Sequence, residues 1–96
     1  MAQATRQGDK CTGHDACPPS ALVEFSGDVK INGRGAGRQG DHHGAHGCVT
    51  HSAHQDVISA GSSSVFINGR PAARVGDAVS IGGSVMEGSG DVFIGG

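Results

Sequence analysis

The chain of 96 residues is long enough for one domain, but only 35% of it is hydrophobic, and three Phe with no Trp or Tyr supply all its aromatic content, so its core must be thin and in need of an extra staple. Seven Lys+Arg and a formal net charge of −2 exclude a nucleic-acid role, because too few cations are present to neutralise phosphates. Eighteen glycines, set between regular hydrophobic runs, indicate many turns between short strands rather than disorder.

The N-terminal stretch MAQATRQGDKCTGHDAC lacks the apolar core of a secretory leader, and nothing in the chain approaches a membrane span. Synthesis in the cytosol is expected, with any export using no cleaved signal. The stretch contains Arg6 to Asp9, the first of three Arg-x-Gly-Asp tetrads. A loop, KCTGHDACPP, follows with Cys11, His14 and Cys17. LVEFSGDV then leads into Val29-x-Ile31 and the pair Asn32-Gly33, which suits a two-residue turn with positive φ at both positions. The second tetrad runs from Arg38 to Asp41 and opens the loop HHGAHGCVTHSAHQ. VISAGSSSV leads into Val65-x-Ile67 and Asn68-Gly69, and the third tetrad spans Arg74 to Asp77. Its loop, AVSIGG, has no His or Cys. VMEGSGDV and Val92-x-Ile94 end the chain.

Alternation along the Val-x-Ile pieces predicts strands, with Val65 and Ile67 on one face and Phe66 on the other. No segment has ten residues of helical periodicity. The predicted class is all-β: three pseudo-threefold β-hairpin repeats, each strand, turn, strand, tetrad and loop, in a single domain over residues 1–96. One hairpin alone is marginal, whereas three around an axis share a core, with the Val and Ile of each copy pointing inward. A generic β-sandwich is the weaker reading, since the repeats leave little chain for a second sheet. In each tetrad Gly permits the bend, Asp caps the turn and Arg pairs with an acidic neighbour.

All histidines and cysteines fall in the first two loops. His14 and His46 each lie five residues after a tetrad Asp, so the repeat makes them equivalent, and Cys48 and His51 form a Cys-x-x-His half-site. His14, His46, Cys48 and His51 together offer three nitrogens and one sulfur, a closed tetrahedral zinc set. His42, His43 and His54 are close enough in sequence to replace any of them. Three cysteines, an odd number, argue against a closed disulfide framework. Cys11 and Cys17 read as small, partly buried residues or an opportunistic pair. Zinc would also supply the staple, because metal binding energy becomes folding energy in a small domain. Residues 35–40, GAGRQG, match Gly-x-Gly-x-x-Gly by accident, with no helix to follow. A Cys48/His51 nucleophile pair lacks an oxyanion framework, and the loop has no Glu to act as general base. A small zinc hydrolase and a metal-storage module are therefore the competing classes.

NGRPAARVGD, residues 68–77, contains Pro-Ala-Ala-Arg at 71–74 and resembles the PAAR-repeat proteins. GSSSVFINGR, the closing GSGDVFIGG, His14 and HGCVTH at 46–51 share the resemblance, while the other copies depart from it with GAGR at 35–38 and QATR at 3–6. The resemblance implies a small conical all-β protein with zinc near its apex. It implies a place on the blunt end of the trimeric VgrG spike of a bacterial type VI secretion system, one chain per trimer. Such a protein sharpens the spike, touches the target membrane transiently, carries or recruits effectors, and is ejected from the cell. No effector domain is expected to be fused within 1–96, and no enzymatic activity is expected. A pseudo-threefold monomer is a natural cap for a threefold partner, docking through the exposed backbone edges of its hairpins.

Overall fold

The computed structural model describes residues 1–13, 17–48 and 51–96, with 46–48 and 51–53 described by their backbone alone. It is all-β apart from one 3-10 turn at Ser80–Gly82, where Ile81 takes φ 63°. The strands are β1 (Ala2–Gln3), β2 (Lys30–Ile31), β3 (Arg34–Gly35), β4 (His46–Cys48), β5 (His51–His54), β6 (Phe66–Ile67), β7 (Arg70–Pro71) and β8 (Phe93–Ile94). They form four two-stranded antiparallel ladders: β1–β8, β2–β3, β4–β5 and β6–β7.

Two of the expected hairpins are present as read. β2–β3 turns through Asn32 and Gly33 at φ 54° and 79°, and β6–β7 through Asn68 and Gly69 at φ 55° and 77°, the left-handed pair that Asn-Gly accommodates. The third differs. Its strand β8 pairs with β1 from the other end of the chain, Ala2 with Ile94 and Gln3 with Phe93. The register repeats that of the hairpins, where Ile31 faces Arg34 and Ile67 faces Arg70. The third repeat is therefore assembled from both ends of the chain, because the residues that would form its return strand stand at positions 2–3.

This exchange closes a ring. Gly37 N–H donates to Thr5 C=O (2.9 Å), Thr5 N–H to Ala73 C=O (3.2 Å) and Ala73 N–H to Gly37 C=O (3.1 Å). A second cycle links Gln7 to Gly35, Gln39 to Pro71 and Val75 to Gln3 at 2.8–2.9 Å. Thr5, Gly37 and Ala73 crowd together: a Cβ on Gly37 would sit 2.7 Å from Thr5 Cγ2 and 2.9 Å from Leu22 Cδ2. One threonine, one alanine and one bare α-carbon share the space.

The apolar residues follow the same threefold pattern. One cluster holds Ala4, Ala36 and Ala72 with Ile31, Ile67 and Ile94. The other holds Leu22, Ile58 and Val85 with Cys11, Ala73 and Val79. The inward role read for Ile is found, but the valines divide: Val92 packs against the first cluster, whereas Val29 and Val65 are 38% and 37% exposed. The outward positions Lys30, Phe66 and Phe93 are exposed.

Polar groups bind the repeats to one another. In each tetrad the Asp carboxylate accepts the Arg backbone N–H and the Nε–H and Nη2–H of its guanidinium. These hydrogen bonds raise Arg6, Arg38 and Arg74 above the usual arginine pKa. Each guanidinium also reaches the next turn: Arg6 to Asn32 Oδ1, Arg38 to Asn68 Oδ1 and Arg74 to the Gly95 carbonyl. The same three acceptors take a hydroxyl hydrogen from the buried Ser89, Ser26 and Ser62. Each serine oxygen in turn accepts two backbone N–H groups of its own turn.

Asp41, 1% exposed, also holds Arg70. Asp41→Ala leaves two guanidinium groups without their carboxylate and should destabilise the protein by about 3–5 kcal/mol, read from urea unfolding. Asn68→Ala removes the acceptor of Ser26 and Arg38 and places a Cβ-bearing residue with no side-chain acceptor at positive φ. It should cost about 1–3 kcal/mol, and Asn68→Gly less. Equal costs for the two Asn68 variants would show that the turn conformation contributes nothing to the difference.

Candidate metal centre

The tetrads start the loops, so the residues that follow them fall in equivalent places. Two positions past each Asp stand Cys11, His43 and Val79, all buried. Cys11 and Val79 belong to the apolar cluster of Leu22, Ile58 and Val85. Cys11 is a free thiol, its Sγ 3.6 Å from Ser20 Oγ. Cys17 is also buried and is disulfide-bonded. The alternative of a Cys11–Cys17 pair is thus corrected, and Cys11 is the small buried residue of the other reading.

Of the four residues read as zinc ligands, His14 lies outside the described residues. His46, Cys48 and His51 are placed by backbone on one ladder. Cys48 faces His51 and His46 faces His54, with a register shift between His46 and Cys48. Directly paired residues on an antiparallel ladder have Cβ atoms about 4.5–5.5 Å apart, a spacing that suits two ligands of one ion. Among the described residues no three His, Cys, Asp or Glu side chains converge on a point that could hold a metal.

The three histidines named as substitutes have distinct surroundings. His42 Nδ1 bonds the Glu24 carboxylate, which also accepts the His42 backbone N–H. The side-chain bond to His42 is the main reason why Glu24 is held below the usual carboxylate range. His43 is fully enclosed, and its backbone N–H donates to the Asp56 carbonyl at 2.8 Å. His54 Nε2 lies 3.5 Å from the buried Asp56 carboxylate.

Sequence reasoning missed two groups of residues. The first is the hydroxyls of Ser26, Ser62 and Ser89, to which the sequence reading assigns no role. Their signal is Ser-Gly-Asp-Val, twice, and Ser-Ser-Ser-Val, once, before the Val-x-Ile strands. Arg34 and Arg70 bring a second guanidinium to Asp9 (3.0 Å) and Asp41 (2.8 Å). Their signal is the Arg that follows each Asn-Gly turn. A polar groove beside the first tetrad is lined by Gln3, Arg6, Asp9, Arg34, Val75 and Glu87. Arg6, Arg34 and Asp9 are ion-paired there, and the groove presents no nucleophile with an adjoining base.

No helix among the described residues is long and apolar enough to cross a membrane, and no curated protein matches the chain. The family model described as the PAAR motif matches residues 43–86, from the buried His43 through β4, β5 and the third tetrad. Those residues carry the PAAR motif.

Proposed function

We propose that this chain is a structural spike-tip protein that caps and sharpens the VgrG trimer of a type VI secretion system. The observation that carries the reading is the closed threefold cycle of backbone hydrogen bonds through Thr5, Gly37 and Ala73. It is built by one chain that bears a PAAR motif. A threefold partner needs a cap that offers each of its three subunits an equivalent surface. A single chain closed on itself can do this without a second copy, and the body tapers to a cone away from the partner. The docking end is the one bearing the Asn-Gly turns and the outward Phe66 and Phe93. The described geometry supports a non-enzymatic role, since Arg6, Arg34 and Asp9 of its polar groove are tied up in ion pairs and Glu87 accepts the Lys10 backbone N–H.

His14, His46, Cys48 and His51 are the residues that would hold zinc. The pairing of Cys48 with His51 across β4–β5 supports the fit. Zinc there supplies a structural cross-link between two loops rather than a Lewis acid. Such a tie suits a tip with little hydrophobic core, and it resists the load of being driven through a target envelope. The tip is ejected with the spike, touches the target membrane only in passing, and recruits effectors in trans.

Protein purified under reducing conditions should carry one zinc per chain, because a thiolate that binds metal cannot at the same time sit in a disulfide. Elemental analysis checks this, and a fully folded, zinc-free preparation would sink the metal assignment. Cys48→Ala should cost several kcal/mol or abolish folding, on the order of structural zinc energies, while His42→Ala should stay within about 1 kcal/mol.

Native mass spectrometry of the reconstituted complex tests the cap. One chain per VgrG trimer is expected. Three chains per trimer, or no complex with any VgrG of the same genome, overturns the reading.

A further inference from the structure

The three tetrads are not equally furnished. Asp9 and Asp41 each accept two arginines, the one inside the tetrad and the one after the Asn-Gly turn. Arg34 reaches Asp9 Oδ1, while Arg70 reaches Asp41 Oδ1 and also donates Nε–H to the Gln39 carbonyl at 3.0 Å. In the third repeat the register partner of Ile94 is Ala2, where Ile31 has Arg34 and Ile67 has Arg70. Among the described residues the Asp77 carboxylate pairs with Arg74 alone. Its side chain is correspondingly more exposed, 9% against 5% for Asp9 and 1% for Asp41.

We propose that the outer face of Asp77 is a seat for a guanidinium supplied by an arginine side chain of another protein. The chain itself shows twice what fits there. A carboxylate already engaged by its tetrad arginine accepts a second guanidinium on Oδ1, the carboxylate having lone pairs enough for both. In the second repeat the Arg70 guanidinium lies over Gly40, where a Cβ would meet Nη2 at 2.9 Å. The corresponding Gly76 has open space, as Gly8 has in the repeat where Arg34 is seated: a Cβ at either would meet nothing within 4 Å. By the repeat, Val75 is the counterpart of Gln39, whose carbonyl receives Arg70. The carboxylate and, by the repeat, the second acceptor are therefore present in the third repeat, where the small Ala2 stands at the register position of Arg34 and Arg70. Arginine is selected over lysine because the arrangement receives a planar fork at two acceptors rather than a point charge. The inference does not depend on what the chain caps.

The test uses the full chain and two probes, N-acetyl-arginine amide and N-acetyl-lysine amide, added at millimolar concentrations at low salt. With the arginine probe, amide NMR signals of Val75, Gly76 and Asp77 should shift. Those of Gly8, Asp9, Gly40 and Asp41 should stay in place, and the lysine probe should give smaller shifts. Ala2→Arg places an arginine at the register position of Arg34 and Arg70. It should raise Tm by about 4 °C and abolish the probe-induced shifts, whereas Ala2→Gln should do neither. Shifts of equal size at all three tetrads would overturn the proposal, as would Ala2→Arg and Ala2→Gln proteins of the same Tm.

Discussion

Three backbone hydrogen bonds, running in a circle through Thr5, Gly37 and Ala73, are the constraint on which the rest of this protein depends. A ladder of two-residue strands cannot hold a fold by itself, and the described residues contain no long strand and no α-helix. What the strands lack individually they gain by closure, because a cycle has no unpaired edge at its centre. The ring brings the tetrads into register, and the tetrads bring buried carboxylates under the backbone N–H groups of Arg6, Arg38 and Arg74. Burial of those charges is tolerable because each is met by a bidentate guanidinium. The apolar clusters are small and would not by themselves exclude water from so short a chain, so polar connections carry an unusual share of the specificity.

Much of this was legible in the sequence, in proportion to how local it is. The Arg-x-Gly-Asp tetrads describe bonds three residues long, and the pairing within each is the one the residue types suggest. The Asn-Gly turns fixed both contiguous hairpins. The third repeat was misread because its return strand lies at residues 2–3, and no local pattern announces that Ala2 will meet Ile94. The cross-repeat bonds of Ser26 with Asn68 and Ser89 with Asn32 were hidden for the same reason: each residue is ordinary for its own turn and acquires its role only from a turn tens of residues away. The PAAR resemblance read at residues 68–77 agrees with the family match, which begins at residue 43. Of the candidate metal residues, the Cys-x-x-His spacing corresponds to a cross-strand pair, Cys48 with His51, a relation that three-residue spacing encodes directly. His14 lies outside the described residues, and its equivalence to His46 rests on the repeat alone.

The departures from symmetry compensate one another. Phe25 lies against Gly35, whereas the corresponding Gly61 and Gly88 lie under Pro71 and Gln3. One bulky group is present in each pair, on one side or the other. Asn32 and Asn68 donate to Asp91 and Asp28, and the hydrogen bond to Asn32 holds Asp91 below the usual carboxylate range. In the third copy Gly95 and Ser64 replace the amide and the acid together, and the backbone carbonyl of Gly95 takes over as acceptor for Ser62 and Arg74. Paired substitution of this kind keeps buried donors satisfied while letting the three faces of the ring diverge.

The pairing of β1 with β8 has a consequence for the order of events in folding. The two Asn-Gly hairpins can form from contiguous chain, whereas the β1–β8 ladder needs Ala2–Gln3 to meet Phe93–Ile94, the strand pair farthest apart in sequence. Loop-closure entropy must be met before that contact returns any stabilisation. A nascent chain still held at its C-terminus would present two of the three units and leave the N-terminal strand waiting for its partner.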